Sequence, residues 1–276
     1  MKQIAIFGFG LVGASIAAAV REATPAVEVV AIDLASVLAA PAVLALAHQR
    51  VQSNDRDGVR AVTATADLCI LAAPVAVIQS ELPAVLEVGR VVTDCGSTKR
   101  SICAAASVLP RARRFVPGHP MAGGPEGGAA RARAELFRGQ SWLLCPENSD
   151  PDALACVEEL VKLVGANAVH MSLADHDRAV AYTSHVPQLV ASALAVLASE
   201  AHATAAAGPA YRATTRSAGG GEAMWRDIFE ANADHISAVL GQLAAELEAV
   251  AAGLAVSPPD NRAALALLAR ARLARH

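Results

Sequence analysis

The chain opens on a short apolar run at 4–7 and returns to such runs at 27–32, 67–74, 91–94, 115–117, 141–145 and 168–171. Unbroken apolar runs of about four to eight residues suit strands buried on both faces, as in a parallel sheet. Between them lie stretches of helical composition: 14–19 after the first run, 35–48 with Pro41 near its start, 76–88, and one from Asp150-Pro151 to about 164, before Gly165. Asp150 suits the N-cap of that last helix and Pro151 its first turn. Residues 52–60 are polar and 118–128 are rich in glycine, so both are predicted loops. Strands alternating with helices predict an α/β doubly wound parallel sheet over 1–172. From residue 173 the pattern becomes helical throughout. It predicts a long helix over 173–199 kinked at Pro187, a short one over 200–206, and helices over 222–253 and 260–275. The basic segment 211–216, between Gly208-Pro209 and Gly219–Gly221, reads as loop. The helices of 173–276 carry more apolar surface than a monomer needs, which predicts a homodimer formed through this all-α half.

The first apolar run leads straight into Gly8, Gly10 and Gly13, spaced G-x-G-x-x-G. Strand, tight turn and helix in that order form a dinucleotide-binding Rossmann unit. Gly8 allows the sharp turn, Gly10 lets the backbone approach a pyrophosphate, and Gly13 lets the helix sit close to the strand. Leu11 and Val12 open the helix whose free N–H groups would face the phosphates. The second strand ends in Asp33, twenty residues beyond Gly13. A carboxylate there accepts the ribose hydroxyls and repels a 2′-phosphate, and neither Leu34 nor Ala35 is a cation, so NAD is expected over NADP. Ala73 and Pro74, at the end of the third run, are expected beside the same dinucleotide.

Composition narrows the partners. The 276 residues have a formal net charge of −3 and 3% aromatic side chains, which gives no electrostatic or stacking case for nucleic acid. No apolar stretch is expected to reach the roughly 18 residues of a membrane span. The first residues read as a core strand and not a signal peptide. Five cysteines without a CxxC pair suit reduced thiols in the cytoplasm and no zinc site. The arginines at 270, 272 and 275 suit a helix C-terminus.

Two residues fall just past strand ends at the ligand edge of the predicted sheet, Ser97 and His119, and read as a hydrogen-bonding pair. An imidazole there can take a proton while a hydride leaves a carbon bearing a hydroxyl. His176, Asp177 and His185 look like a metal set. A nine-residue gap on an α-helix puts the two histidines on opposite faces, so no metal is expected.

The ordered motifs GFGLVGAS, CILAAPV, TDCGSTK, GHPMAGG, HDRAVAYTSHVPQLVASAL and TRSAGGGEAMWRDIFEAN resemble the prephenate/arogenate dehydrogenases of tyrosine biosynthesis. The HPMAG loop, the His176-Asp177 pair followed by Ser184-His185-x-Pro187, and the Thr215-Arg216 to Asp227 block are the specific ones. The resemblance implies NAD-dependent oxidative decarboxylation of a small cyclohexadienyl substrate, with hydride passing from the ring carbon that bears the 4-hydroxyl. It implies that His119 bonds that hydroxyl, Ser97 helps orient His119, and Arg216 holds a substrate carboxylate. Gly123, His185 and Gln188 fall in the implied substrate pocket. A guanidinium fork suits a carboxylate on physical grounds as well.

Members of the family often read S-H-x-P-H where this chain has Gln188. Ala213 stands where an acid is usual, Gly221-Glu222 where Asp-Pro is usual, and Glu126 is shifted along its loop. Because these changes fall near the substrate pocket, prephenate, arogenate and a 4-amino ring analogue all stay open. A 3-hydroxyacid dehydrogenase would want a lysine on helix 173–199, which has none. A non-catalytic dinucleotide sensor would have no need of Ser97, His119 and Arg216 together. No fused mutase or regulatory domain is expected, so any feedback by tyrosine would have to act at the active site.

Overall fold

A computed structural model describes residues 1–124 and 126–274. Arg275, at the end of the last predicted helix, lies outside the described residues.

Five strands are laid down before the first candidate catalytic residue. They are β1 (Gln3–Phe7), β2 (Glu28–Asp33), β3 (Gln49–Gln52), β4 (Leu68–Leu71) and β5 (Val92–Asp94), and β6 (Phe115–Val116) follows. They form one sheet in the order β3-β2-β1-β4-β5-β6, and every pairing is parallel. β1 lies inside, so the glycine turn that follows it opens at the C-terminal edge, between β2 and β4. Ligands of open α/β sheets bind at that edge. The alternating side chains of the strands feed two cores. Ile4, Ile6 and Ile70 pack under helices α1 (Leu11–Ala23) and α7 (Pro151–Leu163). Phe7, Ile32 and Leu71 pack under α4 (Arg56–Thr65), α5 (Val75–Val88) and α6 (Arg100–Ser107).

The remaining apolar runs do not extend this sheet. β7 (Gly118–Pro120), β8 (Ser141–Leu144) and β9 (Asn167–His170) form a second sheet, in which β7 runs antiparallel to β8. Pro117 separates β6 from β7. It has no N–H to donate, and its carbonyl accepts from the Cys145 amide at 3.0 Å, so the chain changes partner there. Other expectations also shift. The predicted helix 35–48 breaks into α2 (Ala35–Leu38) and α3 (Pro41–Leu46), with Pro41 in the first turn of the second piece. β3 falls between the predicted helix 35–48 and the predicted loop 52–60, and that loop holds the start of α4. β3 is an edge strand that buries only Val51, and α4 is capped by the Asp55 carboxylate accepting from the Gly58 amide at 3.0 Å.

The helical half begins at α8 (Leu173–Val180). A π-turn (Ala181–His185) joins it to α9 (Val186–Glu200), so Pro187 sits in a first turn and not at a kink. Segment 200–206 holds only a short 3₁₀ turn, at Thr204–Ala206. The supposed loop 211–216 is largely α10 (Pro209–Thr214), for which the Gly208-Pro209 break is the start signal. The predicted helix 222–253 is interrupted at Asn232, giving α11 (Glu222–Ala231) and α12 (Ala233–Leu254). α13 (Arg262–Ala274) follows. The core here is small, centred on Ala181, Val186, Ile228, Ile236 and Val239. Leu197, Leu247, Leu265 and Leu268 stay exposed.

Two segments, Leu173–Glu200 and Ala233–Leu254, are long and apolar enough by composition to cross a membrane, contrary to the expectation that no stretch is. Alanine raises their average although polar side chains interrupt them. The first buries His176, Asp177, His185 and Gln188, which a lipid-facing helix would not do without strong reason.

Candidate active site

The glycine turn has the form a dinucleotide requires. Gly8 holds φ +89°, and a Cβ on it would lie 2.4 Å from the Ala72 carbonyl oxygen. A Cβ on Gly13 would lie 2.0 Å from the Gly8 carbonyl oxygen, so α1 and the turn touch backbone to backbone. Gly10 differs: a Cβ there would meet nothing within 4 Å. It caps α1 without a side-chain acceptor, and the first turn carries no acid. The N–H groups of Leu11 and Val12 have no hydrogen-bond partner among the described residues and the helix dipole lies behind them, which fits a pyrophosphate. Asp33 Oδ2 accepts from the Phe9 amide at 2.6 Å and Oδ1 from the Leu34 amide at 2.7 Å. Its carboxylate is thereby held at the edge of the turn, with lone pairs left for ribose hydroxyls. Ala73 stands against the turn, 3.1 Å from the position of a Gly8 Cβ, and Pro74 caps α5. Gly124 approaches the turn from the other side, its Cβ position 3.5 Å from Leu11. Gly123, next to it, is exposed.

His119 is carried by β7. The Asp94 side chain, at the end of β5, fixes the approach to it by accepting from the Gly118 amide at 3.1 Å and the Gly96 amide at 2.8 Å. The same carboxylate is paired with the Lys99 ammonium, and both are fully buried. His119 is 8% exposed. Its Nδ1 lies 3.0 Å from Nε2 of His176, and Nδ1 of His176 lies 2.8 Å from Oδ1 of Asp177. Asp177 also accepts from the amides of Lys99 at 2.8 Å and Arg100 at 3.0 Å, and so caps α6 from the helical half. Ser97, half-buried in the loop after β5, makes no hydrogen bond to His119 among the described residues. The pairing expected with Ser97 is replaced by one to His176.

The second histidine of the motif faces the same cluster. His185 is 1% exposed. Its Nδ1 lies 3.1 Å from Asn232 Nδ2, which also donates to the Asp177 carbonyl at 2.7 Å. His176 and His185 thus meet one partner set instead of opposite faces. The π-turn between them is the reason. Its wider turn advances each residue by less than the roughly 100° of an α-helix, and rotates His185 back toward the site. Because an amide nitrogen only donates, His185 Nδ1 accepts and its proton sits on Nε2. That atom is a buried donor with no partner among the described residues. His119, His176 and Asp177 form a chain, and among the described residues no group of three or more His, Cys, Asp or Glu could hold a metal ion.

Gln188 is buried, and its Nε2 donates to the Gly219 carbonyl, tying α9 to the glycine loop before α11. Trp225 on α11 meets His185 edge-on at a centroid distance of 6.1 Å. Gln188, Ser192, Gly219, Gly220 and Trp225 line one groove beside this cluster. Arg216 stands apart, exposed after α10, with no ion pair or hydrogen bond among the described residues.

Burial makes the charged imidazoles costly. It pushes His119 well below its ordinary range, and His176, Lys99 and His185 add to the effect. His176 is lowered by burial despite its bond to Asp177. Burial works against ionised Asp177, but the bonds from His176 and the two backbone amides keep it below the usual carboxylate range. Burial lowers His185 to about 4. The unfolded chain therefore takes up a proton on His185 that the folded chain refuses, between 6.5 and about 4. Stability is full above that interval and falls as the pH is lowered through it, by up to about 3 kcal/mol from this group. Urea midpoints should fall from pH ~6.5 to ~5, where carboxylates contribute little, and His185→Gln should flatten that slope. An unchanged slope in the variant would mean that His185 is not held neutral.

Against this geometry, known proteins give a consistent answer. The model of the prephenate dehydrogenase nucleotide-binding domain matches residues 16–170, and that of the prephenate dehydrogenase dimerization domain matches 172–264. A prephenate dehydrogenase of Bacillus subtilis is 34% identical over 84% of this chain, which spans 65% of that relative's length. A cyclohexadienyl dehydrogenase of Zymomonas mobilis is 29% identical over 94% of this chain and 90% of its own length. Among solved structures, the arogenate dehydrogenase of Synechocystis superposes with a TM-score of 0.78 at 25% identity, covering 99% of this chain and all of that one. A glycine turn open at Gly10, a buried histidine on β7 and these matches agree, and the chain belongs to the prephenate dehydrogenase family.

Proposed function

We propose that this chain is an NAD-dependent dehydrogenase of cyclohexadienyl substrates, with prephenate as the leading substrate. The observation that carries this reading is the buried His119, whose Nδ1 is bonded to His176 while its Nε2 makes no hydrogen bond among the described residues. The bound nicotinamide would supply the hydride acceptor. As the hydride leaves C4 of the ring, the 4-hydroxyl proton passes to Nε2 of His119 and the C–O bond gains double-bond character. Loss of carbon dioxide from C1 returns an electron pair to the ring, which becomes aromatic, and His119 hands the proton back to the phenolic oxygen. Atoms and charge balance with no other base. Aromatisation supplies the driving force, so the side chains mainly orient and stabilise. His185 Nε2–H offers a donor for a substrate oxygen, Ser97 a hydroxyl in the loop after β5, and the exposed Arg216 a cation for a carboxylate.

Arogenate is the second reading, and Gln188 supports it. Its Nε2 is committed to Gly219, while Oε1 accepts no bond among the described residues. An unspent acceptor suits an ammonium better than a keto group. NADH formation measured with prephenate and arogenate at matched concentrations decides between them. A kcat/KM at least tenfold higher for prephenate supports the first reading, the reverse supports the second, and turnover of neither overturns both.

We also infer that a second copy of the chain covers the exposed leucines of α9, α12 and α13, in keeping with the dimerization domain this half matches.

A further inference from the structure

We propose that His176 and Asp177 are positioning residues that hold His119 in one tautomer, with the proton on Nδ1 and Nε2 free to accept. The proposal rests on the reading of His119 as proton acceptor given above.

The hydrogen-bond chain starts at the Asp177 carboxylate, which can only accept. Asp177 receives the amides of Lys99 and Arg100 from α6 and Nδ1 of His176. The proton of His176 is therefore on Nδ1, and its Nε2 presents a lone pair. That lone pair faces Nδ1 of His119 at 3.0 Å. Two lone pairs cannot face each other in a buried site without cost, so Nδ1 of His119 carries the proton. Nothing is left to chance by solvent: His176 is fully buried and Asp177 is 2% exposed. The charged and titratable groups around the chain are the buried Lys99–Asp94 pair beside β7, His185 on the π-turn, and Arg100. Lys99, close by, further opposes a charged His119.

The chain also crosses from one half of the molecule to the other. His119 belongs to the sheet half, and His176 and Asp177 to α8. The halves are fastened at the same place, since Arg100 donates to Asp234 on α12 through two bonds of 2.9 Å. The acceptor state of the catalytic imidazole is thus set by docking of the helical half.

The most direct test is nitrogen-15 NMR of the full-length protein with labelled histidine, assigned with His119→Asn. The shifts distinguish an Nδ1–H from an Nε2–H imidazole and need no turnover, so the result stands apart from the substrate assay. His119 is expected in the Nδ1–H form. Asp177→Asn can turn an amide donor toward His176, which reverses the chain and moves the His119 proton to Nε2. Its kcat should fall about 100-fold or more while KM and dinucleotide affinity change less than about threefold. His176→Gln, which can donate to Asp177 and accept from His119, should keep kcat within about tenfold, and His176→Leu should not. Wild-type His119 in the Nε2–H form, or a His176→Leu enzyme with unchanged kcat, would overturn the proposal. If Asp177→Asn fails to fold, the wild-type tautomer and the His176 pair still decide.

Discussion

His119→Asn should bind dinucleotide as the parent does and lose about 10²–10⁴-fold in kcat, the usual range for removing a positioned general base. The reason lies in what asparagine keeps and what it lacks. Its amide can reach toward His176 and fill most of the pocket, so the fold of β7 need not change. It cannot take a proton at neutral pH. The hydride would then have to leave a carbon whose hydroxyl proton has nowhere to go. KM should move little, because the lost interaction grows only as the bond order to oxygen rises. Dinucleotide affinity measured by fluorescence titration, set beside single-turnover rates, separates the two effects. Turnover within about threefold of the parent would remove His119 from the chemistry.

The second large effect separates cofactor from fold within a single motif. Gly10→Ala places a methyl where the protein has nothing within 4 Å. The melting temperature should hold, and dinucleotide affinity should fall by about 10- to 100-fold, as a methyl in the phosphate path costs about 1.5–3 kcal/mol in lost bonds to the α1 amides. Gly13→Ala is the contrast. Its methyl would lie 2.0 Å from the Gly8 carbonyl oxygen, backbone against backbone. α1 must move off β1, and overpacking of this kind costs roughly 1–3 kcal/mol of stability. Calorimetry and isothermal titration on the two variants check both halves. Equal losses of stability would mean that Gly10 is a folding glycine and the space beside it is not a phosphate site.

Local rules made the dinucleotide half legible. Apolar runs, a glycine turn and a strand-end Asp33 each follow from one short stretch, and the parallel sheet places them without further information. The edge strand β3 was not legible, because a strand that buries only Val51 has no run to show. The antiparallel β7 was hidden for another reason. The change of sheet depends on Pro117 and a partner strand that comes later in the chain. The chemistry divides along the same line. His119 could be found from its place after a strand, whereas its partner could not. His176 reaches it from 57 residues away, and α-helical counting sent His176 and His185 to opposite sides. The adjacent His-Asp pair was the available signal, since a buried acid beside an imidazole is a common way to fix a ring. Gln188 could be recognised as a departure, but its bond to Gly219 depends on a loop whose path no periodicity describes.

The π-turn at Ala181–His185 has a consequence for how this chain can vary. Five residues at the smaller step of a π-turn sweep about as far around the axis as four at the roughly 100° of an α-helix. Deleting one residue there would therefore let α8 and α9 run on as one α-helix while His185 kept Asn232 and Gln188 kept the glycine loop. Keeping all five residues but tightening them to α-helical pitch would instead rotate everything downstream by roughly 90°. The apolar stripe of α9 would then present a different edge to its neighbours. Along this segment the inherited quantity is phase, and sequences aligned across it should accept a one-residue gap wherever the wide turn is lost with it.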